Sequence, residues 1–456
     1  MTVTLAVTAV VAVGAGVAGG ASHHQELATG TGRGGATTPV LSARRAPSLV
    51  AAGTARRRLR AELAPLQAKA GPGHCLSASS AGVSLATDSA DVALMPGSNL
   101  KLATAFALLR EIPPDTRFST RLAAGVPPKG GKLDGDLWFI GEGDPLLATA
   151  DYVATNKYGV YPHTALESIA DQLVSSGITH ITGSIRGDDS RYDDQRTVPS
   201  WPARYLSDRQ VGPLTALSVN DARGGGDPAT SAAAALTGLL RARGVTVDGE
   251  AASGRAPAKL ATILDVPSLT VREIVDEMLT FSDNNTAELM LKELGFHRSN
   301  SGTTAAGVSV VRDELARAGI PLTGFEEVDG SGLDRGDRVT CTLLAAILTT
   351  DGVAGSIAGA LPVAARTGTL SERYHGSPAA GKVRAKTGTL KDVTALSGWV
   401  HTDPGADVAF SYLLNTGGRD VGAADLRLAE QITEVLLRYP ETPDLDTIAP
   451  RPARTG

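Results

Sequence analysis

The pattern of this chain breaks in its middle and later resumes, and that interruption constrains the fold more than any other feature. From Leu59 the apolar residues fall at helical intervals, with Leu59, Leu63 and Leu66 on one face. Residues 75–79 and 82–86 read as short strands around a turn. Residues 98–112 read as a helix stopped by Pro113 and Pro114. From about residue 118 to 257 the texture changes to short strands (135–140, 178–186), two helical stretches (166–176, 228–243) and loops rich in Gly and Pro. After Val266 the longer helices return. Ser268 or Thr270 caps one that runs to about Phe281. Residues 285–294 form another, ended by Gly295, and residues 339–350 a third. Strands at 382–386, 393–401 and 408–414 and a helix at 424–438 close the order. One domain interrupted by another accounts for this sequence of elements. The reading is therefore a discontinuous domain at 59–117 and 258–440, a mixed insert domain at 118–257, and a loose tail at 441–456.

Composition narrows the class. Of 456 residues 42% are hydrophobic and 20% charged, so the chain can bury cores and is not an intrinsically disordered one. The net charge of −5 lacks the basic excess of a nucleic-acid binder. Two cysteines exclude a disulfide-dense scaffold and a multi-thiolate zinc site. The eight histidines are scattered apart from His23-His24, so no metal site is expected, and Asp188, Asp189, Asp193 and Asp194 read as a solvated acidic loop. No phosphate-binding or dinucleotide fingerprint occurs, so no cofactor is expected. Residues 1–21 are uncharged and rich in Val, Ala and Gly, and end in Gly19, Gly20 and Ala21. They read as a signal peptide or an N-terminal anchor, although a leading Lys or Arg is missing. Either one places the protein outside the cytoplasm, in the cell envelope or secreted, with membrane contact through this segment alone. Residues 22–58 read as a flexible linker.

Three short motifs carry the chemistry. The first is Ser98-Asn-Leu-Lys101 at the start of a helix. Positions i and i+3 share a face, so the Lys101 amine lies beside the Ser98 hydroxyl. A serine needs such a base to become a nucleophile, and a buried lysine can supply one near neutral pH. The second is Ser282-Asp-Asn284, between two helices, where Ser or Asp also suits as a helix cap. A rival S-x-N stands at Ser218-Val-Asn220. The third is Lys386-Thr-Gly388, at a strand end. Lysine is scarce here, ten residues against 33 arginines, so this triplet is expected only on the order of 0.1 times by chance. It has an echo: Arg366-Thr-Gly-Thr-Leu370 beside Lys386-Thr-Gly-Thr-Leu390.

Together the motifs resemble those of the penicillin-recognising serine enzymes. The 184 residues from Ser98 to Ser282 exceed the gap of a compact β-lactamase. They resemble the D-alanyl-D-alanine carboxypeptidases of the penicillin-binding protein 4 type, which carry a large insert there. Gly141-Glu-Gly-Asp-Pro145, Gly187-Asp-Asp-Ser190, the stretch from Gly212 to Asn220 and Asp329-Gly-Ser-Gly-Leu333 look like that family too. The resemblance covers about residues 60–440. It implies an α/β (α+β) transpeptidase-like domain, mainly antiparallel sheet with helices on both sides, and an exported serine carboxypeptidase. The implied activity removes the terminal D-Ala of peptidoglycan stem peptides, and opens cross-links as an endopeptidase, through an acyl-serine that penicillins and other β-lactam antibiotics would also form. A β-lactamase of the same fold and a non-hydrolytic envelope binding protein are the alternatives.

The resemblance also implies roles. Ser98 is the nucleophile and Lys101 its base. Ser282 relays a proton to the leaving amine, and Asn284 holds the substrate amide carbonyl. Lys386, with Thr387 and Thr389, takes the terminal carboxylate. Gly388 lets the substrate backbone come close, and the N–H groups of Ser98 and Thr389 form the oxyanion hole. Arg366, followed by a loop, is expected to have no such part. No glutamate between Ser282 and Lys386 stands in the E-x-x-L-N setting of a deacylating base. Export leaves Cys75 and Cys341 in an oxidising compartment, where one disulfide is expected and two buried thiols are the alternative.

Overall fold

The computed structural model describes residues 47–442. The signal or anchor at 1–21, the first part of the linker and most of the tail lie outside them. Two bodies follow from the chain's own patterning. The first is a five-stranded sheet in the order Val383–Leu390, Val393–His401, Asp407–Asn415, His74–Ser80, Val83–Asp88, antiparallel throughout. Alternation along the strands sends Phe410, Tyr412 and Leu414 to one face and Leu413 to the other. Helices Pro47–Ala70 and Ala423–Leu436 cover the first face, burying Leu59, Leu63, Leu428 and Ile432. Helices Lys101–Glu111, Val271–Thr280, Asn284–Ser299 and Cys341–Asp351 gather on the second.

The second body has its own core, built on Leu122, Phe139, Ile169, Ile185 and Leu236. Its sheet runs Ala252–Ser253, Ile185–Asp188, Leu137–Glu142, Arg117–Ala124, Ala261–Thr270. The first two pairings are parallel, which the intervening helices Leu166–Ser175 and Pro228–Ala242 make possible as crossovers. The two outer chain segments, Arg117–Ala124 and Ala261–Thr270, pair antiparallel and form the stem through which the chain leaves and re-enters the first body.

Several boundaries differ from the sequence reading, each for a local reason. Residues 47–58 are helix and not linker; the helix starts at Pro47, well before the apolar stripe that betrayed it. Residues 261–270 belong to the insert's sheet and not to the discontinuous domain, because strand Ala261–Thr270 pairs with Arg117–Ala124. The helix expected to end at Gly295 continues to Ser299 and stops at Asn300, whose φ of 55° is left-handed. Gly295 is there for packing. A Cβ on it would lie 2.7 Å from Ala306 Cβ and 2.9 Å from the Gly307 nitrogen of the crossing helix Thr304–Arg317, an element the sequence reading did not include.

Cys75, in a central strand, and Cys341, first residue of the helix over it, are both fully buried and joined as a disulfide across 266 residues of chain. Tying a strand to its covering helix over so long a loop stabilises on the order of 2–4 kcal/mol. Alkylation of the denatured, unreduced protein should add no mass, and after reduction two alkyl groups. Two groups without reductant would show that the thiols are free.

Candidate active site

The turn that carries Ser98 is tighter than an ordinary helix start. Gly97–Leu100 is a 3-10 turn that feeds directly into helix Lys101–Glu111. In that geometry i and i+3 eclipse, so Ser98 and Lys101 are stacked. Lys101 Nζ lies 2.9 Å from Ser98 Oγ. Its other neighbours come from distant chain segments: Asn284 Oδ1 at 2.7 Å and the Ser331 carbonyl at 2.8 Å. Ser98 is partly exposed, while Lys101 is fully buried.

This set of partners accommodates Lys101 in either protonation state. The Ser331 oxygen and Asn284 Oδ1 can only accept, so they take two N–H bonds. An ammonium gives its third N–H to Ser98 Oγ, and a neutral amine, with only two, turns its lone pair to the Ser98 hydroxyl. Burial pushes Lys101 down to about 8, against the opposing pull of Asp329, Glu288, Asp283 and Glu277. The orientation of Asn284 is itself fixed: its Nδ2 donates to the Gln210 carbonyl at 2.7 Å. Gln210 belongs to the insert, and so does Gly212, whose N–H donates to Asn285 Oδ1 at 2.5 Å.

Ser282 sits in the bend between helices Val271–Thr280 and Asn284–Ser299 with a left-handed φ of 63°, a conformation that costs a non-glycine residue about 1–2 kcal/mol. Asp283 caps the second helix by accepting from the Thr286 N–H at 2.7 Å, so the bland role of this motif and its place in the site coexist. The bend aims Ser282 Oγ at Lys386, whose Nζ donates to it at 2.7 Å and to the Thr387 carbonyl at 2.9 Å. Burial, and then the charge of Lys101, hold Lys386 well below the ordinary lysine range.

Strand Val383–Leu390 is pressed against the Ser98 turn. Asn99, fully buried, donates from Nδ2 to the Lys386 carbonyl at 3.2 Å. A Cβ on Gly388 would lie 2.6 Å from the Pro96 carbonyl and 2.9 Å from Asn99 Nδ2. The space this glycine frees is thus taken by the protein's own turn, where the sequence reading gave it to substrate. A Cβ on Gly97 would lie 3.3 Å from the Thr389 nitrogen, so the Ser98 turn and the Thr389 N–H face each other closely.

The structure brings Ser98, Ser282, Asn284, Thr387 and Thr389 onto one cleft of about 530 Å³, with Lys101 and Lys386 buried behind them. The rival S-x-N does not reach it: Ser218 is buried, and Asn220 Oδ1 accepts from the Thr149 N–H within the insert. Arg366 is exposed and packs by Gly381. Yet the echo it opens does enter the site, because Thr387 Oγ1 donates to Thr369 Oγ1 at 2.8 Å. Asn99, Gln210, Ser331 and Thr369 were not singled out from the sequence. Of these, Ser331 lay in a stretch already noted, and Thr369 in the echo. A backbone carbonyl such as that of Gln210 leaves no trace in residue type.

The comparisons with known proteins agree with this geometry. The profile of the D-Ala-D-Ala carboxypeptidase 3 (S13) family matches residues 68–224 and 219–436. The chain belongs to that family. It is 29% identical over 437 residues to the D-alanyl-D-alanine carboxypeptidase of Actinomadura sp. (strain R39), covering 76% of this chain and 77% of the relative. A carboxypeptidase of Mycobacterium tuberculosis is 27% identical over 349 residues, 72% of each chain. Among solved structures, penicillin-binding protein 4 of Haemophilus influenzae superposes with a TM-score of 0.68 at 20% identity, over 82% of this chain and 98% of that one. The fold is the antiparallel-sheet fold of the penicillin-binding proteins, and the activity of this S13 member is that of a serine D-Ala-D-Ala carboxypeptidase.

With Lys101 as the base for Ser98, its state would set the pH response. As an ammonium it has no lone pair for the Ser98 proton, so the competent fraction falls tenfold per unit once the pH drops below about 8. Acylation by a penicillin, followed in stopped flow, should rise with unit slope from pH 6 and level off above about 8. A flat profile across that range would exclude a neutral Lys101 as the base.

Proposed function

We propose that the S13 chemistry runs through Ser98, and the observation that carries this is the fully buried Lys101 amine 2.9 Å from the Ser98 hydroxyl, with two further acceptors to take the N–H bonds of its neutral form. A stem peptide ending in D-Ala-D-Ala lies in the cleft with its terminal carboxylate toward Lys386, Thr387 and Thr389. Lys386 is disposed to be neutral in the empty site, because burial and Lys101 both oppose its charge. An arriving carboxylate reverses that balance, since an opposite charge in a desolvated site favours the ammonium. Charge on Lys386 in turn holds Lys101 neutral. Substrate binding thereby helps prepare the base.

Ser98 Oγ attacks the carbonyl carbon of the penultimate D-Ala and its proton passes to Lys101. The N–H groups of Ser98 and Thr389 hold the oxyanion, and the second N–H of Asn284 Nδ2 is available to the neighbouring amide carbonyl. The C–N bond breaks as Ser282 passes a proton to the departing D-Ala amine. Water then cleaves the acyl-Ser98 ester with Lys101 accepting its proton. Cross-linked peptides ending in a D-Ala amide bond would be opened by the same steps, and a β-lactam would acylate Ser98 by ring opening. The likeness to a D-alanyl-D-alanine carboxypeptidase and a penicillin-binding protein supports a place in the cell envelope, outside the cytoplasm. Among the described residues no helix is long and apolar enough to cross a membrane.

Labelling with a fluorescent penicillin followed by peptide mass spectrometry should place the adduct on Ser98, and Ser98→Ala should abolish it with the melting temperature unchanged. An adduct on another serine would overturn the assignment. Lys386→Ala should lower turnover of a diacylated D-Ala-D-Ala peptide at least ~100-fold, the scale of a lost transition-state contact, while Arg366→Ala changes it little. The opposite ranking would refute the carboxylate role of Lys386.

A further inference from the structure

A carboxyl group buried behind Lys101 has no part in the chemistry above. Glu288 stands one helical turn after Asn284, on the same face of helix Asn284–Ser299. It is fully buried. Its Oε1 accepts the backbone N–H of Gly330 at 3.0 Å and of Ser331 at 2.8 Å. Its Oε2 has no hydrogen-bond partner. The turn it grips is the one that serves the catalytic lysine: the Ser331 carbonyl accepts from Lys101 at 2.8 Å, and the Gly330 carbonyl from Thr104 Oγ1 at 2.8 Å. Lys101 and Thr104 lie three residues apart on the nucleophile helix. The Gly330–Ser331 peptides are therefore held between two helices, Glu288 on one side and Lys101 with Thr104 on the other.

An orphaned carboxylate oxygen in a buried place costs about 1–3 kcal/mol or more, so its retention calls for a use. The charged and titratable groups around it are few. Lys101 comes from the nucleophile helix, with Lys386 beyond it on the strand. Asp329, Glu327 and Asp337 come from the segment bearing the turn, and Asp283 and Glu277 lie further off near Lys101. Asp329 is occupied: its carboxylate accepts from the Trp201 indole at 2.8 Å and from the N–H groups of Gly332 and Asp334, each at 2.7 Å. Among the described residues no group of three or more acidic, His or Cys side chains is arranged to hold a metal ion.

We propose that Glu288 is a positioning residue of the catalytic centre, which fixes the Gly330–Ser331 turn against Lys101 and, as a carboxylate, stabilises the ammonium that Lys101 becomes when it takes the Ser98 proton. Burial pushes Glu288 up to about 8, with Asp329 adding to the rise and Lys101 opposing it. Lys101 falls to about 8 from above, so the two groups titrate in one range and each feels the other's charge.

The inference rests on Ser98 and Lys101 being nucleophile and base, and its test is separable from theirs. Glu288→Gln keeps an oxygen for both backbone N–H groups and removes only the charge. Glu288 carries its charge only toward pH 8 and above, so E288Q should leave the foot of the acid limb of penicillin acylation in place and bring its plateau to lower pH. The expected shift is about one unit, a tenfold change in proton affinity. An unmoved plateau in a folded E288Q would overturn the proposal and leave Ser98 labelling untouched. Loss of labelling at Ser98 in the wild type would instead sink the underlying reading. Should E288Q fail to fold, carboxyl carbon NMR of glutamate-labelled protein decides. Coupling between two sites is reciprocal. One glutamate should therefore titrate at lower pH in the wild type than in Lys101→Met, and identical titrations of all glutamates would overturn the proposal.

Discussion

Burial of one lysine amine is the constraint on which the site depends. An ammonium taken out of water without a counter-charge in direct contact is costly, so Lys101 can be buried at this depth only by relinquishing its proton readily. The protein surrounds it with oxygens and no contacting carboxylate: Ser98, Asn284 and Ser331, from three separated stretches of chain. Each stretch must be held without help from solvent. Thr104 and Glu288 hold the Ser331 turn, Gln210 orients Asn284, and Asn99 ties the Ser98 turn to the Lys386 strand.

That requirement gives the insert a part in the site. The chain leaves the first body at Arg117 and returns at Thr270, and ten residues later enters the bend that carries Ser282. On the way it sends back the Gln210 carbonyl and the Gly212 N–H to Asn284 and Asn285. It also lays Asp221 beside Asp283. Burial, and then the charge of Asp283, push Asp221 up to about 7, and Tyr152 donates to it at 2.5 Å. The insert is thus one wall of the cleft, and the Ser282–Asn284 bend is clamped between two domains.

Much of the fold was legible because its signals are local. The stripe Leu59, Leu63, Leu66 and the strand 393–401 follow from period and residue type and stand where the sequence placed them, and the helix cap is Thr270, one of the two positions the sequence offered. What was misplaced had its cause elsewhere in the chain. Gly295 reads as a stop signal, and only the crossing helix at Ala306 and Gly307 shows why a glycine is needed inside a helix. Strand Ala261–Thr270 reads as the approach to a helix until its partner Arg117–Ala124 is known.

For the site the division is similar. The sequence by itself determined the chemical parts: a serine with a lysine three residues on, a Ser-Asp-Asn bend at a helix cap, and a Lys-Thr-Gly strand end. The first two are common alone, and it is the three in this order, with a scarce Lys-Thr-Gly among them, that carry meaning before any contact is known. Tertiary structure alone decided the charge state of those parts and their supports. Whether a lysine is a base depends on how completely water is removed from it and on which atoms replace that water. Those atoms are backbone carbonyls and side chains up to 230 residues away, as between Lys101 and Ser331, and residue type does not record where a peptide oxygen points.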